Sequence, residues 1–249
     1  ILLAEFTREE VKAALDHIGD LKAPGPDGMP AIMFKRHWHF MGDQVMDEVL
    51  RVLNGGDMPE GWNDTHVILI PEVKNPQRIK DLRPINLCNV LYKLVCEVIA
   101  NRLKMILPSL ISDNQSVFVP RRLPTDNVLI AYELSRYVMN KKSWKDGYMA
   151  VKADMSKAYD RVEWSYLHGC LCKLGFAPAW IDSVMRCVTN VRYAVRINGE
   201  LTDLVVPSKG IRQGDPISPY MFLLCTEGLS SLLLQKKNCG ELQVFEMAD

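Results

Sequence analysis

Residues Met149 to Trp164 read MAVKADMSKAYDRVEW, and the reading of the fold starts there. A short apolar run, Met149-Ala150-Val151, leads to an acid, Asp154, and a helix-like pattern follows. That order predicts a strand that carries a carboxylate to its end and then turns. Tyr159 comes five residues after Asp154, and Asp160 adds a second acid. Asp160 stands three residues before Glu163, which is capping-box spacing, so a helix cap is its expected role. Asp154 at a strand end suits a hard divalent cation such as Mg²⁺, which takes oxygen ligands and keeps several waters. Taken alone, an acid after a strand is a common pattern.

Downstream, Glu163 to Gly175 is predicted helical, with Gly175 as its C-cap, and Ala179 to Thr189 forms another helix. Arg192 to Val206 reads as a hairpin, because YAVRI and LTDLVV flank Asn198-Gly199, a dipeptide suited to a type I′ turn. Lys209 to Pro219 (KGIRQGDPISP) is a Gly/Pro-rich turn that leads into an apolar helix, Tyr220 to Leu234.

Upstream, Glu5 to Ile18 is an amphipathic helix with Thr7 as N-cap and Glu10 at the capping-box position. Lys22 to Pro30 (KAPGPDGMP) holds three prolines and two glycines and is a turn segment, either a connector or a preset backbone beside a ligand. Residues 31 to 53 are helical. Thr65 to Pro71 is a buried strand, and Leu82 to Leu87 is extended, with Arg83 held by the following proline. An Arg at such an edge suits bidentate phosphate binding, although an ordinary surface Arg has the same pattern. Val90 to Leu107 is a long helix expected to stop at Pro108. Asp126 to Met139 is another, with Asp126 or Asn127 as its cap.

The 249 residues are 48% hydrophobic and 24% charged, an ordinary globular composition. Net charge is zero, yet Lys74 to Arg161 holds 16 Lys and Arg against 8 Asp and Glu. Such a basic middle suits either a phosphate-tracking face or a solvated surface. Seven cysteines, an odd number without a Cys-x-x-Cys pair, point to a reducing compartment without a disulfide-linked partner. No apolar run approaches a membrane span and no signal peptide opens the chain, so no membrane partner is expected. An intracellular location, cytoplasmic or nuclear, follows from that reading. A start at Ile1 rather than Met suggests a fragment. His168, Cys170 and Cys172 are close in sequence, but helical spacing puts only His168 and Cys172 on one face, so helix packing is favoured over zinc.

Six segments together resemble the reverse transcriptases of non-LTR retroelements, especially the LINE-type elements of plants, along almost the whole chain. KAPGPDGMP is similar to their extra N-terminal fingers motif. VILIPEVKNP and DLRPINL resemble the two fingers motifs that handle the incoming nucleotide. QSVFVPRR resembles their Gln-Ser-x-Phe segment, while KADMSKAYDRV and GIRQGDPISP resemble the first and second palm motifs. The resemblance implies an α+β, right-hand polymerase fold: fingers with an N-terminal extension over residues 1–145 and part of a palm over 146–249. It implies an RNA-directed DNA polymerase that joins a dNTP to a primer 3′-hydroxyl on an RNA template, using Mg²⁺. Asp154 would bind the catalytic metal. Arg83 would contact the triphosphate, Tyr159 would sit under the sugar, and Gln213 and Gly214 would line the nucleotide and template pocket. Tyr159 also disfavours an RNA-dependent RNA polymerase, which must accept a 2′-hydroxyl.

The chain departs from the family pattern at several places. Glu72 follows Pro71 where a lysine is usual, Arg121 stands where a glycine is usual, and Ala153 replaces a larger apolar residue. No Asp-Asp pair occurs anywhere, so the third palm motif is absent, and Met247-Ala248-Asp249 echoes it with one acid only. The expected fold is therefore truncated before the third palm motif and thumb, and the chain is expected to be inactive by itself. A non-catalytic RNA-binding remnant that uses the basic middle is the alternative.

Overall fold

The structure, a computed structural model, describes residues 1–140 and 151–242. It opens with α1 (Arg8–His17), whose cap is the one its spacing predicts. Thr7 Oγ1 accepts from the Glu10 amide at 3.4 Å, and the Glu10 carboxylate accepts from the Thr7 amide at 2.9 Å. Residues 31 to 53 form two helices, α2 (Ala31–Arg36) and α3 (Trp38–Leu53). They break at His37, which takes φ −105° and ψ 17° and so caps one helix while opening the next. Helix α1 buries Val11, Ala14 and Leu15 against α3 and the long α4 (Val90–Leu110). Tyr92, Leu94, Ile99, Leu103 and Leu107 of α4 are fully buried and form the centre of the helical layer.

Pro108 does not end α4 as expected. In the last turn a proline forfeits only the bond to the carbonyl four residues back, and the Ile111 amide still reaches Leu107 O at 3.1 Å.

Strands β1 (Asp64–Pro71) and β2 (Leu82–Cys88) pair antiparallel, with Thr65 opposite Cys88 and Ile70 opposite Arg83. Strand β3 (Arg192–Ile197) lies parallel to β1 on its other side, and β4 (Glu200–Leu201) closes the order β2-β1-β3-β4. Period-two alternation puts Thr65, Val67 and Cys88 on the covered face, while His66, Ile68, Ile85 and Arg83 share the opposite one. The hairpin turn is as predicted, with Asn198 at φ 52° and Gly199 at φ 93°. Its second strand is shorter than expected because the Thr202 hydroxyl takes the Val195 amide at 3.0 Å, and pairing resumes only at the Tyr193–Val205 bridge.

The strand expected at the start of MAVKADMSKAYDRVEW is not borne out where it is described. Met149 and Ala150 lie outside the described residues. Val151 to Asp154 form no strand and are exposed, since their backbone finds no strand partner among the described residues. Ala153, exposed with them, encloses no void. Helix α5 (Pro124–Asn140) begins before its expected cap, so Asp126 lies in the first turn and accepts from the Leu123 amide at 3.4 Å. Asp160 does not cap α6 (Trp164–Lys173) either. Glu163 occupies the N-cap without a side-chain bond, and Asp160 lies in a one-turn 3₁₀ helix, Tyr159–Arg161. Helices α7 (Pro178–Thr189) and α8 (Ser218–Asn238) complete the fold, and α6 packs on both.

Arg121 has φ 68°, the left-handed conformation that strains a side chain there. Replacing it by glycine is expected to raise unfolding stability by about 0.5–1 kcal/mol, read from urea denaturation midpoints.

Candidate nucleotide-facing site

The turn between β4 and α8 is held by its ends. Arg212 and Asp215 are each 3% exposed and form an ion pair at 3.1 Å. The Tyr92 hydroxyl donates to Asp215 Oδ2 at 2.5 Å, and the Arg212 guanidinium lies 4.0 Å from the Tyr92 ring centroid. Arg212 also donates to Thr65 Oγ1 at 3.0 Å and to the Cys187 carbonyl at 3.1 Å. Asp215 Oδ1 accepts from the Ile217 amide at 3.2 Å. One buried pair thus ties the turn to β1, α4 and α7. Burial pushes the Tyr92 hydroxyl well above its ordinary pKa, so it remains a donor.

Between those anchors, Gln213 is half-buried and Gly214 exposed. Gly214 has φ 92°, which only glycine adopts freely. The side chain of Asn86 on β2 donates to the Gln213 carbonyl at 3.2 Å, so β2 adjoins this turn, while Arg83, three residues away, stands on the other face of the sheet.

Tyr159 reaches the same turn from the other side. The Ile211 amide donates to Tyr159 O at 3.0 Å, Gly210 N to Val162 O at 2.8 Å, and Trp164 Nε1 to Gly210 O at 2.8 Å. The Tyr159 ring stacks on Phe222 with centroids 5.1 Å apart, and burial raises its hydroxyl pKa.

Arg83 is exposed and pairs with Glu72 at 2.6 Å. The acid that departs from the family pattern therefore neutralises the cation expected to meet a triphosphate.

Asp154 is exposed and lies on a cavity of about 560 Å³ whose walls include Tyr166, Phe222 and Leu229. It is not hydrogen-bonded into the turn that gathers Tyr159, Gln213 and the Arg83 strand. Among the described residues no three His, Cys, Asp or Glu side chains converge to hold a metal. Cys172 Sγ and His168 Nδ1 are 3.7 Å apart on the outside of α6, the pairing their spacing predicts.

The KAPGPDGMP loop is docked rather than loose. Asn89 accepts from the Asp27 amide at 3.1 Å and donates to Gly61 O at 2.8 Å. A Cβ on Gly25 would fall 2.2 Å from Asn89 Oδ1, so the loop needs glycine at that contact.

Part of the basic middle is turned inward, while Lys74, Arg78, Lys80, Arg83, Arg136 and Arg161 are exposed. Arg102 is 4% exposed, Lys93 is 8% exposed, and Arg122 donates to the Ser112 and Gln115 carbonyls at 2.5 and 2.8 Å. Arg102, Lys93 and Arg122 are therefore spent inside the fold, and the exposed cations are what remains to meet phosphates.

Sequence reasoning missed Arg212, Asp215, Tyr92 and Asn86. A cation and an acid three apart around Gln-Gly were a usable signal for the first two. Tyr92 carried none, since it sits in an apolar helix.

The family model described as reverse transcriptase (RNA-dependent DNA polymerase) matches residues 73–249. The chain belongs to the reverse transcriptase family. Several relatives of this reverse transcriptase domain are named as proteins of transposons or retrotransposable elements. It is 29% identical over 231 residues to the transposon TX1 uncharacterized 149 kDa protein of Xenopus laevis, covering 93% of this chain and 17% of that protein. It is 25% identical over 224 residues to the retrovirus-related Pol polyprotein from type-2 retrotransposable element R2DM of Drosophila melanogaster, covering 90% and 20%. The chain thus spans about a fifth of the length of these relatives and is a reverse transcriptase domain of the non-LTR retroelement kind. Among solved structures, a chain of the partial Cas6-RT-Cas1–Cas2 complex is similar at TM-score 0.47 and 15% identity, over 94% of this chain and 35% of that one. Among the described residues no helix is long and apolar enough to cross a membrane.

Proposed function

We propose that this reverse transcriptase domain supplies the nucleotide-handling surface of an RNA-directed DNA polymerase. That enzyme adds dNTPs to a DNA primer on an RNA template. Residues 1–145 act as fingers and 146–249 as part of a palm. Arg83 meets the triphosphate, Tyr159 lies under the sugar, and Gln213 and Gly214 border the base and template. The observation that supports this reading is the hydrogen-bonded junction at the Gln213–Gly214 turn. There, motifs 127 residues apart (Asn86 to Gln213) and 46 apart (Trp164 to Gly210) meet.

Magnesium would stabilise charge on the attacking and leaving oxygens, with Asp154 as its ligand. The described residues alone do not fit it, since Asp154 has no converging carboxylates beside it. The expected outcome for the 249-residue chain on a primed RNA template is therefore no extension. Synthesis abolished by Asp154→Ala would overturn that.

Nucleotide affinity tests the rest of the proposal. Exposed ion pairs contribute only about 0–1 kcal/mol, so Glu72 competes weakly with a polyphosphate for Arg83. Glu72→Gln is expected to tighten dNTP binding about two- to fivefold in a fluorescence titration, and Arg83→Ala to weaken it about tenfold, as loss of a charge-assisted contact does. Equal affinity in all three proteins would remove Arg83 from the site.

A further inference from the structure

We infer that Arg212 and Asp215 are positioning residues, whose buried ion pair fixes the shape in which the Gln213–Gly214 turn meets an incoming nucleotide. The inference rests on the nucleotide reading above but adds two residues and a means of action to it.

The two charged side chains flank the dipeptide and are buried, while Gly214 between them is exposed. Burial is thus arranged to fasten the ends and leave the middle available. A plain apolar anchor would fasten them as firmly, because a buried ion pair contributes little net stability over well-packed hydrophobic residues. What the pair adds is direction. The planar guanidinium is held by Thr65 Oγ1, the Cys187 carbonyl and Asp215, and stacks on Tyr92. The two oxygens of Asp215 are taken by Tyr92 and by the Ile217 amide. The orientation of residue 212 is therefore set by β1 and α7, and that of residue 215 by α4 and the start of α8. With both ends oriented, the intervening peptide is limited to the turn that Gly214 closes at φ 92°. Asn86 then needs only one bond to place it against β2.

The test compares wild type, the double variant Arg212→Met/Asp215→Leu, the conservative Arg212→Lys, and Gln213→Ala. Each is followed by thermal midpoint, by ¹⁵N order parameters at Gln213 and Gly214, and by dNTP titration. The double variant is expected to keep a midpoint within a few degrees of wild type. Its two order parameters should fall from about 0.85 to below about 0.6, and its dNTP affinity should fall as far as that of Gln213→Ala. Arg212→Lys, which keeps the charge and loses the fork, should fall between. If the double variant does not fold, the order parameters of Arg212→Lys decide the matter. Unchanged order parameters in a folded variant would overturn the positioning role even where Gln213→Ala weakens binding. Lowered order parameters with no nucleotide affinity in wild type would instead remove the nucleotide reading, and with it the function assigned to the turn.

Discussion

Arg212→Ala is expected to lower unfolding stability by about 3–5 kcal/mol, measured by urea denaturation at neutral pH. The substitution removes the partner of Asp215, which is 3% exposed, and leaves a carboxylate without a countercharge in the interior. It also removes the donor to the Thr65 hydroxyl and one of the donors to the Cys187 carbonyl, which keeps Asn63, and strips the Tyr92 ring of the cation above it. An uncompensated buried charge is far more costly than the pair is beneficial, so the single substitution should destabilise much more than the paired apolar one. A loss below about 1 kcal/mol would mean that water reaches Asp215 and that the turn is not anchored from within.

Arg102→Ala should be the next most damaging change, at about 1.5–3 kcal/mol, the range for charge-assisted hydrogen bonds. Arg102 projects from α4, 4% exposed, and grips the N-terminal segment. It forks onto Glu10 with two bonds of 2.7 Å, donates to the carbonyls of Glu5 at 2.8 Å and of Ala4, and covers the Phe6 ring at 3.6 Å. The bonds from Arg102 hold the Glu10 carboxyl below its ordinary pKa. A lowered folded-state pKa means stability that is present above the unfolded value of about 4.3 and lost as pH falls through the folded one. Wild type should therefore lose stability on acidification through that window. Arg102→Ala should show a shallower slope there, as denaturation curves at pH 7, 4.5 and 3 would reveal.

Local signals read well from the sequence where one rule governed the outcome. Thr7 and Glu10 form their capping box, Asn198-Gly199 turns its hairpin, and the β-branched run at Thr65 becomes a strand between two others. Reading failed where a partner elsewhere decided. Val151 to Asp154 has the composition of a strand but no neighbour among the described residues to pair with. Asp160 has cap spacing, yet Glu163 takes the N-cap of a helix that starts at Trp164, and Asp160 lies in a 3₁₀ turn held by the Ile211 amide on Tyr159 O. Pro108 and Asp126 show the usual uncertainty of helix ends.

The site was half legible for the same reason. Gln213, Gly214, Tyr159 and Arg83 stood out by motif, and three of those motifs meet at one turn. The residues that hold the turn, Arg212, Asp215, Tyr92 and Asn86, act through contacts between segments far apart in sequence. A pattern search along the chain offers only the spacing of Arg212 and Asp215 around Gln-Gly, and nothing for Tyr92 or Asn86. Nor does charge counting show that Arg102, Arg122 and Lys93 face inward.

The measurement that bears most directly on the central claim is a ¹⁵N NMR titration of the 249-residue chain with a dNTP. If the three motifs form one nucleotide surface, amide shifts should concentrate at Arg83, Asn86, Tyr159, Gln213 and Gly214, and should collapse together in Gln213→Ala. Shifts confined to other faces, or none at millimolar nucleotide, would contradict it.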